Sequence, residues 1–201
     1  MLANLWQQVW IRGAVWFLAS GLVVVGAQIA GGEIRHTLTP KVALGIRIHN
    51  PLDIRPVPLP DRWDGQIDVH TTSDGDFAVF EEYAYALRAG ADLLLAYSRH
   101  HDIHALVGPG GLDAQDGIVT RWAPASDGND PATYSTRMAR LTGFAVDQYL
   151  DLEDPATVAT LLRAMTRVEM GLNDTEPLPY SDEEMQRALQ LSAFINPVTV
   201  N

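Results

Sequence analysis

The sequence predicts an α+β protein in which a small β lobe is followed by a helical lobe, with an apolar helix before both. Three observations support this fold class. Residues 9–30 form an almost uninterrupted apolar run, short alternating apolar segments follow up to residue 80, and repeated helix start and stop signals occupy the rest. Because strand and helix signals are segregated along the chain, the region after the apolar run is α+β.

The first element is an N-terminal transmembrane helix. Val9 to Ala30 approaches the length of about 20 apolar residues that spans a bilayer, provided that Arg12 extends toward the interface. A cleavable secretory signal ending near Val25-Gly26-Ala27, or a core or subunit-interface helix, are the alternatives. We therefore predict a single-pass, membrane-associated protein that contacts lipid. The predicted divisions are an anchor at 1–32, a connector at 33–44 and a folded domain at 45–196.

Small residues are frequent in the predicted anchor, among them Gly13, Gly21 and Gly26. Small side chains let membrane helices approach closely, so the anchor could associate with other membrane proteins. Arg12 on one flank and Arg35 on the other leave the orientation of the anchor open.

The next element is a predicted strand, turn and return strand between Gly45 and Gly65, with Ile46 and Ile48 alternating in the first strand. Asn50-Pro51 favours a bend, because proline restricts the residue before it to extended geometry. His49, Asn50, Asp53 and Arg55 crowd this turn, where they either hydrogen-bond the loop or line a cleft. We expect the sheet to continue through Ile67 and Val69 and through residues 77–80.

Helices are predicted for the remainder. Their approximate bounds are 81–99, 114–122, 131–142, 155–170 and 182–196. Asp130-Pro131 and Asp154-Pro155 are N-cap and first-turn pairs, and Ser181 with Glu184 forms a capping box.

Composition limits the function. The net charge of −11 and pI of about 4.8 disfavour nucleic acid as a partner. The absence of cysteine excludes disulfides and thiolate metal sites. His100, His101, His104 and Asp102 are close in sequence, but histidines also favour a solvated helix end. We predict no metal and no cofactor.

Glu169 is a candidate general acid, Glu33 is a weaker candidate, and Asp68 or Asp76 could supply a second carboxyl group. Glu169 follows an apolar helix face and precedes the stop at Gly171, where a carboxyl group facing a cleft between lobes could act as a general acid. The alternative is a solvated residue in the last helical turn.

A resemblance gives these residues a context. The segment from Gly45 to Arg55 resembles the R-N-N-N-P-G-N-I-R opening of a bacteriophage family whose members are described as virion structural, lysozyme-like or lytic-transglycosylase-like proteins. The similarity continues in order through Trp63-Asp64-Gly65-Gln66, Asp76-Phe77-x-x-Phe80, Leu87-Arg88-Ala89-Gly90, Leu93-Leu94-x-x-Tyr97, Arg121-Trp122-Ala123-Pro124, Asn129, Tyr134 and Val168-Glu169-x-Gly171. The family usually has asparagine in place of Asp53 and glutamine in place of Asp64.

The resemblance implies a lysozyme-like fold and peptidoglycan as the partner. Glu169 would be the catalytic acid, and Asn50, Arg55, Trp63 and Trp122 would bind substrate, although the two tryptophans also suit a core position. The protein would lie in a virion membrane or in the host inner membrane facing the periplasm, and act at infection or at lysis. A non-catalytic virion structural protein with a wall-binding domain, or a cellular protein that opens the wall for secretion, are the alternatives.

Overall fold

A computed structural model describes residues 40–192 of the chain. The predicted anchor at 1–32, most of the connector and the last residues of the predicted domain lie outside the described residues. Within residues 40–192, no helix combines the length and apolarity required to cross a bilayer.

The described region contains a small two-stranded sheet between one short helix and a series of later helices. The elements in chain order are α1 (Pro40–Arg47), β1 (Gln66–Thr72), β2 (Gly75–Phe80), α2 (Tyr83–His101), α3 (Ile118–Trp122), a 3-10 turn (Ala125–Asp127), α4 (Pro131–Thr142), α5 (Pro155–Glu169) and α6 (Asp182–Leu191). The predicted mixed fold, with a small sheet followed by helices, is confirmed at this level.

The prediction of a strand, turn and return strand between Gly45 and Gly65 is wrong, because the first strand begins at Gln66. Residues up to Arg47 belong to α1, and the rest of the segment is a loop. Val42, Gly45 and Ile48 are buried at intervals of three, which is the spacing of one helical face. The alternation of Ile46 and Ile48 was too short to distinguish a strand from a helix end.

The loop after α1 nevertheless lies along the free edge of β2. The backbone nitrogen of Phe80 donates to the Ile48 carbonyl at 3.0 Å, and that of Ala78 donates to the Ile54 carbonyl at 2.9 Å. The opposite edge of β2 pairs antiparallel with β1, from Gln66 opposite Phe80 to Thr72 opposite Gly75. The loop therefore lies beside the sheet and bonds its edge without forming a strand of its own.

The predicted caps of the later helices are confirmed. Asp130 accepts a hydrogen bond from the backbone of Thr133, and Asp154 accepts from the backbone of Thr157. Ser181 and Glu184 form the reciprocal capping box of α6. Helix α3 is shorter than predicted, because residues 108–117 form turns and loop in place of its first part.

The core lies between α2 and the elements packed around it, which are β2, α5 and α6. A loop residue, Leu52, is fully buried in this core. An added Cβ at Gly90 in α2 would lie 2.6 Å from Leu52 Cδ1 and 2.9 Å from Leu162 Cδ2, so the loop and α5 approach α2 closely at this glycine. This contact fixes the loop against the helices.

A second, smaller cluster joins α1 to the segment that follows α5. Val42 of α1 packs with Met170 and Leu172, which follow α5. Helix α1 crosses the predicted boundary between connector and domain at residue 45, so the packed unit includes residues that precede this boundary.

Candidate active site

A partly enclosed cleft of about 110 Å³ lies between the loop after α1 and the helices. Its apolar wall includes Leu52, Ile54 and Leu93. The cleft contains four of the five predicted site residues: Arg55, Trp63, Trp122 and Glu169. Arg55 and Trp63 come from the loop between α1 and β1, Trp122 ends α3 and Glu169 ends α5, so the tertiary fold brings the four residues together.

Glu169 is the last residue of α5, and only 4% of its surface is exposed. Its Oε1 atom accepts a hydrogen bond of 2.7 Å from the Tyr134 hydroxyl and one of 3.1 Å from Trp122 Nε1. The alternative of a solvated residue in the last helical turn is therefore wrong. Two donors from separate helices satisfy this oxygen, as burial of a carboxyl group requires.

Tyr134 remains a proton donor to Glu169 over a wide pH range. Full burial raises the pKa of the Tyr134 phenol well above its ordinary value, and the nearby Glu169 and Asp53 raise it further. The phenol is thus neutral near pH 7, and its proton is directed to Oε1. This arrangement fixes the orientation of the Glu169 carboxyl group.

Arg55 connects the cleft to the β hairpin. Its Nη1 donates to the Asp76 carbonyl at 2.9 Å, its Nη2 donates to the Asp74 carbonyl at 3.2 Å, and its guanidinium lies 4.3 Å from the centre of the Phe77 ring. Burial lowers the pKa of Arg55, whereas Asp53 and Glu169 act in the opposite direction. Arginine keeps its charge in proteins, so Arg55 places a fixed positive charge at the cleft.

Trp63 and Trp122 are partly buried against the core and also line the cleft. Trp63 Nε1 donates to the Arg55 carbonyl at 2.9 Å, and Trp122 Nε1 donates to Glu169. Since protein acceptors already engage both indole nitrogens, these residues can offer a ligand their apolar ring surfaces. The core and cleft interpretations of these tryptophans are therefore compatible.

Asn50 does not line the cleft. It is fully buried, and its Nδ2 donates to the carbonyls of Ile54 and Ala78, both at 2.9 Å. Its Oδ1 accepts from the Ile54 backbone nitrogen at 2.9 Å. The sequence left open whether the polar residues of this turn hydrogen-bond the loop or line a cleft. Asn50 hydrogen-bonds the loop.

Two further side chains belong to the site, although neither was among the five predicted site residues. Asp53 lines the cleft, and Tyr134 lies behind it as a donor to Glu169. The position of Asp53 just after the Asn50-Pro51 bend was a sequence signal that this residue could line a cleft. Tyr134 had no comparable signal, because its partner lies 35 positions away in the sequence.

Asp64, the other departure from the phage family, lies outside this cleft. It lines a separate hollow and forms an ion pair with Arg88, which also approaches Asp92 at 3.5 Å. The carboxylate at position 64 is therefore explained by a local charge partner.

The neighbouring histidines have different partners. His101 Nε2 lies 2.9 Å from Arg121 Nη2, whereas the His104 ring stacks on Tyr149 with centroids 4.6 Å apart. Among the described residues, no three His, Asp or Glu side chains are grouped so that they could hold a metal ion.

Comparison with known proteins does not place the chain in a family: no family model matches it, and no curated protein gives a significant match. The function is therefore argued from the cleft itself.

Proposed function

We propose that the protein is a membrane-anchored, phage-type enzyme that degrades peptidoglycan, either as a muramidase or as a lytic transglycosylase. The observation that carries this proposal is the buried carboxyl group of Glu169 in a cleft that is also lined by two tryptophans and Arg55. The proposal includes a lysozyme-like arrangement, in which the glycan lies between the β lobe and the helices.

The lining of the cleft suits a sugar polymer. Ligand sites commonly combine an apolar surface with a few directed polar groups. Trp63 and Trp122 supply aromatic surface for the apolar faces of sugar rings, while Arg55 and Asn129 supply polar groups on the same cleft. The fixed charge of Arg55 also suits the carboxyl groups of peptidoglycan.

The proposed chemistry begins with proton transfer from Glu169 to the glycosidic oxygen. Since Oε1 already accepts two hydrogen bonds, the transferable proton would be carried on Oε2. As the bond between the anomeric carbon and this oxygen breaks, either water or the sugar's own 6-hydroxyl attacks the anomeric carbon. Water gives a new reducing end, and the internal hydroxyl gives a 1,6-anhydro product.

The predicted anchor at 1–32 would hold the catalytic domain at a virion membrane or at the host inner membrane, facing the periplasm. Peptidoglycan would then be the partner of the cleft, and lipid the partner of the anchor. The small residues of the anchor would allow contacts with other virion or membrane proteins.

A non-catalytic virion structural protein with a wall-binding domain is the second candidate. It is favoured by the hydrogen bonds from Trp122 and Tyr134 to Glu169, because a carboxyl group that only orients a tryptophan would have the same partners. In this case the cleft would bind glycan chains without cutting them.

The test uses the full-length protein in detergent with purified peptidoglycan, and mass spectrometry of the released fragments. We expect cleavage of the sugar chain by the parent and a loss on the order of a hundredfold or more in Glu169→Gln. Glu183→Gln, an exposed carboxylate in the first turn of α6, is the matched control and should retain activity. Binding without cleavage by the parent would support the structural alternative.

The anchor is tested separately. Membranes that contain the full-length protein are washed with carbonate at high pH, and the protein should remain with the lipid. Release into the wash would contradict an integral membrane anchor.

A further inference from the structure

The second carboxyl group of interest in the cleft is Asp53. It lies on the loop after α1, whereas Glu169 ends α5, so the two residues reach the same cleft from different parts of the fold. Both interact electrostatically with the Arg55 guanidinium and with the Tyr134 hydroxyl. Asp53 is partly exposed, whereas Glu169 is buried, so the two carboxyl groups have different environments.

The backbone holds Asp53 in place. Its φ angle is 52°, in the left-handed region that few residues other than glycine, asparagine and aspartate adopt readily. Leu52 before it and Ile54 after it are buried, and Asn50 bonds both the nitrogen and the carbonyl of Ile54. A residue held in an unusual conformation between two fixed neighbours at a cleft is a recurrent feature of functional sites.

We propose that Asp53 is a catalytic base that binds the attacking water and makes the enzyme a hydrolase rather than a transglycosylase. This inference rests on the proposed function. The water oxygen forms a bond to the anomeric carbon, and the proton of the water passes to the Asp53 carboxylate. The bond from the anomeric carbon to the glycosidic oxygen breaks, and that oxygen receives the proton of Glu169.

The environment of Asp53 suits this role. A base must reach the attacking water, and Asp53 is a partly exposed carboxyl group on the lining of the cleft. Glu169 is 4% exposed and Asp53 is partly exposed, so the two carboxyl groups lie in different surroundings. Two carboxyl groups in unlike environments are the usual basis for separate acid and base roles.

Asp53→Asn is the decisive variant. Asparagine has nearly the same shape, tolerates the left-handed backbone and cannot accept a proton from water. The variant should therefore fold with an unchanged midpoint of unfolding in urea. Asp147→Asn, an exposed residue on the loop between α4 and α5, is the matched control.

The experiment digests purified peptidoglycan with the full-length protein in water labelled with a heavy oxygen isotope. Hydrolysis incorporates the label at the new reducing end, whereas 1,6-anhydro products do not contain it. We expect labelled products from the parent and from Asp147→Asn. In Asp53→Asn, labelled products should fall on the order of a hundredfold, and anhydro products should become the larger fraction.

Each outcome bears on the inference. Only anhydro products from the parent, or unchanged labelled products from Asp53→Asn, would overturn it while leaving the proposed function standing. The absence of any sugar-chain cleavage by the folded parent would overturn the proposed function, and the role of Asp53 with it. Labelled products that depend on Asp53 would establish both.

Discussion

Replacement of Asn50 by alanine should destabilise the folded domain strongly without changing any residue that lines the cleft. The side chain makes three hydrogen bonds of 2.9 Å, all to backbone atoms of Ile54 and Ala78. These bonds hold the loop after α1 in shape and join it to β2. Alanine would remove all three at once and would leave a gap in fully buried surroundings.

The expected cost follows from these contacts. A hydrogen bond contributes about 0.5–1.5 kcal/mol to the free energy of unfolding, so three bonds give about 1.5–4.5 kcal/mol. The upper part of the range applies if the Ile54 nitrogen stays buried without an acceptor. The carbonyl of Ile54 is less affected, because it also accepts from the backbone nitrogen of Ala78 at 2.9 Å.

The assay is urea unfolding of the full-length protein in detergent, followed by tryptophan fluorescence. Asn173→Ala, an exposed asparagine after α5, is the control and should change the free energy of unfolding by less than about 0.5 kcal/mol. A loss below about 1 kcal/mol in Asn50→Ala would refute the argument that this amide holds the loop.

Asn50→Asp tests the direction of the same hydrogen bonds. An ionised carboxylate would face the carbonyls of Ile54 and Ala78 and could donate to neither. Its pKa in the folded protein would be raised, so the variant should regain stability as the pH falls through that pKa. A loss of stability that does not depend on pH would contradict this account.

Two further predictions concern packing and pH. Gly90→Ala should lower the free energy of unfolding by about 1–3 kcal/mol, because the added methyl group would overlap Leu52 and Leu162, and urea unfolding measures this loss. Burial raises the pKa of both Tyr97 and Tyr134, so their contribution to stability is present below about pH 10 and is lost as the pH rises through their folded-state pKa values. Ultraviolet absorbance should therefore show these two phenols ionising together with unfolding, and their ionisation in the folded protein would contradict the prediction.

The sequence predicted the helical part of the fold well because its signals are local. The caps at Asp130, Asp154 and Ser181 bond residues two or three positions away, so the chain near each cap is sufficient to define the helix start. The close packing of neighbouring side chains at Gly90 could also be predicted, because a glycine within an apolar helical pattern commonly marks such a contact.

The segment after Pro40 could not be predicted in the same way. Its conformation depends on Asn50, whose side chain bonds Ala78, 28 positions along the chain. From the sequence alone, Asn50 and Asp53 are two polar residues on one turn, and either could face the cleft. Only the tertiary fold separates them, with Asn50 buried beneath the loop and Asp53 on the cleft surface.

Glu169 shows how a non-local contact reverses a local expectation. A glutamate in the last turn of a helix lies near the negative end of the helix dipole, which favours a solvated position. The structure buries it because Trp122 and Tyr134, 47 and 35 positions away, both donate to Oε1. These two hydrogen bonds account for burial of the side chain, but they do not require the residue to line a cavity.

Stability and activity separate the two functions proposed for this carboxyl group. Glutamine at position 169 can place its amide oxygen where Oε1 lies and accept from both Trp122 and Tyr134. A purely structural Glu169 would therefore tolerate Glu169→Gln in both stability and wall binding. A catalytic Glu169 would keep the same stability and lose cleavage in the variant, because the amide N–H is far too weak an acid to protonate the glycosidic oxygen. An unchanged unfolding midpoint together with lost cleavage is thus the result that only the catalytic role predicts.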